Sequence, residues 1–78
     1  MEIKYVLITD IFGSDDTTRI GYGIALVSVN DDVMSILQTV ADMSSDKVSV
    51  EKFVEACNRL ELDPVHLQDA AEDFIAEL

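Results

Sequence analysis

The chain has 78 residues, with sixteen acidic side chains against five basic ones and a formal net charge of −11. Nucleic-acid phosphates and anionic membrane surfaces repel such a chain, which argues against both as partners. The length holds one domain (1–78), and the 49% hydrophobic content favours a folded chain over an acidic disordered tail.

Cys57 is the only cysteine, so no disulfide can form within the chain, and a lone thiol fits a reducing compartment. The opening Met1-Glu2-Ile3-Lys4-Tyr5 lacks a basic n-region, and the apolar stretch Tyr5 to Ile8 is too short for a signal-peptide core. No run reaches the roughly 20 apolar residues needed to span a bilayer. The expected location is cytoplasmic.

The first third is patterned as strand. Ile3, Tyr5, Leu7 and Ile11 alternate with Lys4, Val6, Ile8 and Asp10, and β-branched and aromatic residues dominate. Gly13-Ser14-Asp15-Asp16 supplies turn chemistry. A second strand is expected from about Thr17 to Val29, with Ile20, Tyr22, Ile24 and Leu26 on one face. Arg19, Gly21, Gly23, Ala25, Val27 and Val29 lie on the other. The two runs and their turn read as a β-hairpin. Gly21, Gly23 and Ala25 make a small-residue face that lets a neighbour approach the backbone.

Asn30-Asp31-Asp32 is the next break. From Val33 to Ala41 two readings compete. Val33, Ile36, Leu37, Val40 and Ala41 stand at helical spacing, whereas the short turn favours a third strand. Further on, Val50, Phe53, Val54, Cys57 and Leu60 form one helical stripe. Ser49 is a candidate N-cap with Val48 and Phe53 at staple positions, and Asp46 competes if the helix starts a turn earlier. Asp63 is expected to cap the last helix, with Pro64 in its first turn. Leu67, Ala70, Ala71, Phe74, Ile75 and Leu78 form its buried stripe, while Gln68, Asp69, Glu72, Asp73 and Glu77 face water. The short link between the helices implies a helical hairpin.

Several segments together resemble a family of short uncharacterised bacterial proteins, mostly from Gram-positive anaerobes. They are Tyr22-Gly23-Ile24, Asp42-Met43-Ser44, Ala56-Cys57-Asn58, the run Leu62-Asp63-Pro64-Val65-His66-Leu67, and Glu72-Asp73-Phe74. The resemblance implies a hairpin, a third strand and then two helices, and it carries no assigned activity. It turns the Val33 to Ala41 segment toward strand. The expected fold is therefore α+β: a three-stranded antiparallel meander, hairpin first, followed by two C-terminal helices packed on one face. The alternative is a two-stranded hairpin plus three helices.

Candidate chemistry is sparse. Cys57 and His66 are the only residues of their kinds, and a thiol beside an imidazole is a known nucleophilic pairing. Against it, Cys57 lies on a buried stripe, where cysteine usually acts as a small hydrophobe. Asn58 next to Cys57 invites a Cys–His–Asn reading, but adjacent helical residues point apart. Asp15, Asp16, Asp31 and Asp32 cluster oxygens in two turns without matching a calcium loop, and one Cys with one His does not make a zinc site. Gly21-Tyr22-Gly23 lacks the third glycine of a dinucleotide loop. No cofactor is expected.

The remaining expectation is a small acidic protein–protein interaction module, acting as a homodimer or an adaptor. Two helices cover one face of a sheet whose strands are apolar on both, which leaves a patch for a partner. That partner is either a protein with a basic face or a second copy. The alternative is a small-ligand binder or a thiol-dependent enzyme using Cys57 and His66.

Overall fold

The computed structural model describes residues 2–14 and 17–77. Three strands come first: β1 (Glu2–Ser14), β2 (Thr17–Asn30) and β3 (Val33–Ser44). They form one antiparallel sheet in the order β1-β2-β3. Helix α1 (Lys47–Arg59), a 3-10 turn (Pro64–His66) and helix α2 (Leu67–Ala76) follow. The fold is the α+β meander with two C-terminal helices, and the three-helix alternative falls.

Local chemistry explains each junction. Asp31 and Asp32 form the two-residue link between β2 and β3, with φ of 51° and 67°. Positive φ at both central positions matches a type I′ turn, which suits the right-handed twist of the strands, and aspartate tolerates it. This turn overrides the helical spacing of Val33 to Ala41, and the strand runs on to Ser44. Asp46, rather than Ser49, caps α1: its carboxylate accepts from Val48 N–H at 3.2 Å and from the Ser49 hydroxyl at 2.6 Å. The helix thus starts a turn earlier than the Val48–Phe53 staple would place it. Asp63 accepts from Val65 N–H at 3.1 Å with Pro64 next to it, so the last helical segment opens as its sequence implies, though through a 3-10 turn.

The end of α1 is a Schellman motif. Leu62 N–H donates to Cys57 C=O at 3.0 Å and Glu61 N–H to Asn58 C=O at 3.2 Å. Glu61 sits at φ 50°, a left-handed position that usually belongs to glycine. This closure turns Leu60 outward. It is 72% exposed, so the α1 stripe ends at Cys57 instead of continuing to Leu60.

One side of the sheet carries the core. Tyr5, Ile24, Leu26 and Met43 from the strands meet Val50, Val54 and Cys57 of α1 and Leu67 and Ala71 of α2. The helices touch through Phe53 and Phe74, whose rings lie 5.0 Å apart at 38°. Ile75 stays exposed, and Leu78 lies outside the described residues.

Strand β3 is bulged twice. Between the pairs Ile24–Val40 and Tyr22–Ser44, β2 advances two residues and β3 four; between Leu26–Gln38 and Val27–Ile36, β2 advances one and β3 two. Bulges bend a strand and raise its twist. Asp42, at φ 53°, lies inside the first one. That bulge presses on β2 where Gly23 stands: a Cβ there would overlap the Val40 carbonyl oxygen and come within 3.0 Å of Ala41 Cα. The small-residue face is therefore filled by a neighbouring strand's backbone.

Candidate functional site: a helix-free sheet face and a capped edge

Alternation places the strand residues on two sides. The even residues of β2 face the helices. Its odd residues point the other way, together with their register partners Lys4, Val6, Ile8, Asp10 and Phe12 of β1 and Met34, Ile36 and Thr39 of β3. No helix lies on this side among the described residues. Ala25 and Val27 in the middle of β2 are nevertheless almost fully buried. Val6, Ile8 and Val29 are half-buried. Met34 and Ile36 are 58% and 67% exposed. The accessible apolar area on this side is therefore contributed mainly by the outer strands, with Val29 from β2.

At the hairpin end this face turns polar. Arg19 pairs with Asp42 through two hydrogen bonds of 3.2 and 2.9 Å, and its guanidinium lies 4.9 Å from the centre of the Phe12 ring. Gly21 makes the room, because a Cβ there would collide with Asp42 Oδ1 and approach the Phe12 ring to 3.1 Å. Asp10, opposite Gly21, has one buried carboxylate oxygen, Oδ2, without a hydrogen-bond partner.

The free edge of β1 is stapled at one point. Tyr5 N–H donates to Asn58 Oδ1 at 2.8 Å, and Asn58 Nδ2 donates to Tyr5 C=O at 2.8 Å. The side-chain amide thus plays the part of a neighbouring strand for one residue. Tyr5 adds a second tie, its hydroxyl donating to Leu62 C=O at 2.7 Å. Burial, then the neighbouring Cys57 and Asp63, push the phenol's pKa up, which keeps it a donor. Because Tyr5 points its backbone outward, so do Leu7, Thr9 and Ile11 further along the edge. Sequence reading missed this role for Asn58: its partner lies 53 residues away, and no local pattern announces such a bond.

Cys57 is buried on α1, and burial pushes its thiol pKa up. It borders an open cavity of 520 Å³ whose walls include Tyr5, Asn58, Glu61 and Leu62. His66 is exposed at the end of the 3-10 turn and lines no cavity with Cys57. Asn58 is engaged with the Tyr5 backbone. Cys57 and Asn58 stand on one wall of the cavity, and His66 is not among its lining residues. Asp31 and Asp32 form the β2–β3 turn, while Asp15 and Asp16 lie outside the described residues. Among the described residues, no group of three or more His, Cys, Asp or Glu side chains could hold a metal ion. No helix of the described residues is long and apolar enough to cross a membrane.

These features define a small α+β protein with an open three-stranded sheet, helices on one side and an apolar face on the other. The chain belongs to a family of unknown function, DUF6514, which it matches over residues 1–77. No curated protein and no solved structure gave a match.

Proposed function

We propose that this chain is a small acidic protein–protein interaction module of the bacterial cytoplasm, and that its working surface is the helix-free face of the sheet. The observation that carries this reading is the apolar surface made by exposed Met34 and Ile36 with half-buried Val6, Ile8 and Val29, on a side with no helix over it among the described residues. A sheet normally buries both faces or makes one polar, and a large apolar face left open on a soluble domain marks an interface. The lone reduced cysteine supports the compartment. The charge supports the exclusion of nucleic acid and anionic membrane.

The test is affinity capture from a lysate of the source organism, with the tagged chain and its Ile36→Lys variant as paired baits. A stoichiometric protein or a second copy retained by the wild type and lost by the variant is expected. Equal recovery by both baits would remove the sheet face as the working surface.

The cavity beside Cys57 supports the second reading, a small-ligand binder. Cys57 lines it as a buried residue whose thiol pKa is raised by burial, which favours binding over nucleophilic chemistry at this wall. Native-state thiol labelling separates the two. Labelling that is fast near neutral pH and slowed by His66→Ala would favour the enzyme.

A further inference from the structure

We infer that the occupant of the helix-free face is a second copy of this chain, packed sheet against sheet about a two-fold axis. The inference rests on the interaction reading above and names its partner.

Charge distribution selects the occupant. From Asp46 to Glu77 the helical half carries nine acids against three bases. Among the described residues, the helix-free face carries Glu2, Asp10 and Asp42 against Lys4 and Arg19, three acids and two bases, a net charge of −1. A basic partner would be drawn to the helical side, since this face has almost no net charge to attract it. Conversely, this is the side on which two copies of a strongly acidic chain meet with the least like-charge repulsion.

The charges that remain are self-complementary. Lys4 and Asp10 lie six residues apart on β1, on the same face. Neither Lys4 nor Asp10 makes an ion pair among the described residues, and Asp10 is half-buried, so its carboxylate is partly open to a partner. A two-fold axis in the interface, crossing β1 near Leu7, sets Lys4 of each copy against Asp10 of the other, with Val6 and Ile8 at the centre. An isologous contact requires this reciprocity.

Size and layering agree. Three strands about 4.8 Å apart along a molecule 43 Å long give a flat footprint of about 600 Å². Side-chain relief raises that toward the roughly 800 Å² per partner of a stable interface. Two copies joined this way form a four-layer α-β-β-α arrangement with both faces of each sheet covered.

Sedimentation equilibrium of the purified chain tests this. The expected mass is twice 8.6 kDa. Ile36→Lys, at a position exposed in the single chain, is expected to give monomer. Lys4→Glu is expected to raise the dimer dissociation constant by about tenfold or more through like-charge contact. Val65→Lys, equally exposed but on the helical side, should leave the dimer intact, and circular dichroism of each variant checks that it is folded. A monomeric wild type at millimolar concentration, or a dimer indifferent to folded Ile36→Lys, overturns the inference. A monomeric wild type that still captures a partner lost by Ile36→Lys overturns the second copy while leaving the interaction reading standing. A monomer that captures nothing removes both.

Discussion

The Asn58 amide occupies the place of a neighbouring strand's peptide, giving and taking one hydrogen bond with Tyr5. Asn58→Ala is expected to cost about 1–2 kcal/mol, because two partly buried backbone groups lose their partner together. Tyr5→Phe, which removes only the bond to Leu62, is expected to cost about 1 kcal/mol. Urea unfolding of both variants checks the order of the two effects. Asp46 offers a test by pH. Its bonds from Ser49 and Val48 hold its carboxyl below the ordinary carboxylate range. The unfolded chain therefore binds that proton more readily. The stabilisation is complete above the ordinary carboxylate pKa of about 4 and is lost as the pH falls through the lowered value of the folded state. Asp46→Asn should flatten that part of the stability profile between pH 5 and 2, roughly the carboxylate range. An unchanged slope would show that the cap does not supply it. Asp63 with Pro64 was legible because a cap acts within one turn of sequence. Asn58 was not, because its partner is set by where the finished helix lies on the sheet.

Strand β3 and the end of α1 carry the strain of the elements. Gly23 faces the backbone of the first bulge, and neither the Val40 carbonyl nor Ala41 can step aside without shifting β3. Gly23→Ala is therefore expected to cost about 1–3 kcal/mol, the usual penalty of overpacking. Gly21→Ala meets a carboxylate tip and a ring edge instead. It should cost less and act mainly by displacing Asp42 from Arg19. The Schellman turn gives the opposite sign. Glu61 holds a left-handed conformation that costs an L-residue roughly 1–2 kcal/mol, so Glu61→Gly should raise stability, by about 1 kcal/mol after glycine's greater freedom in the unfolded chain is deducted. A loss of stability on thermal unfolding would contradict the assignment. The two helices and the hairpin were legible from spacing and turn residues. The third strand was ambiguous because its bulges break the alternation that marks a strand: Leu37 and the Ala41–Asp42 pair shift the pattern toward helical spacing. The left-handed Glu61 carried no signal, since glutamate is not a usual residue there, and this hid the outward turn of Leu60.

At the scale of the whole molecule, two asymmetries dominate. Charge is one: at −11, self-repulsion opposes compaction, and moderate salt should raise the melting temperature by screening it. A melting temperature unchanged between low and moderate salt would mean that the acids are locally compensated. Hydrophobic coverage is the other. The sequence already showed strands apolar on both sides and helices enough for one, so the bare face was legible. Its near-neutral charge was not, because that depends on the register that collects Lys4, Asp10, Arg19 and Asp42 on one side. The central claim is that this face is covered in the working protein. Peroxide oxidation of Met34 measures it most directly. This side chain is 58% exposed on the uncovered face, whereas Met43 is buried under the helices and serves as the internal reference. The account predicts that Met34 of the wild-type chain is shielded at high protein concentration and becomes reactive on dilution or with Ile36→Lys. Rapid oxidation of Met34 at every concentration, unchanged by that substitution, would contradict it.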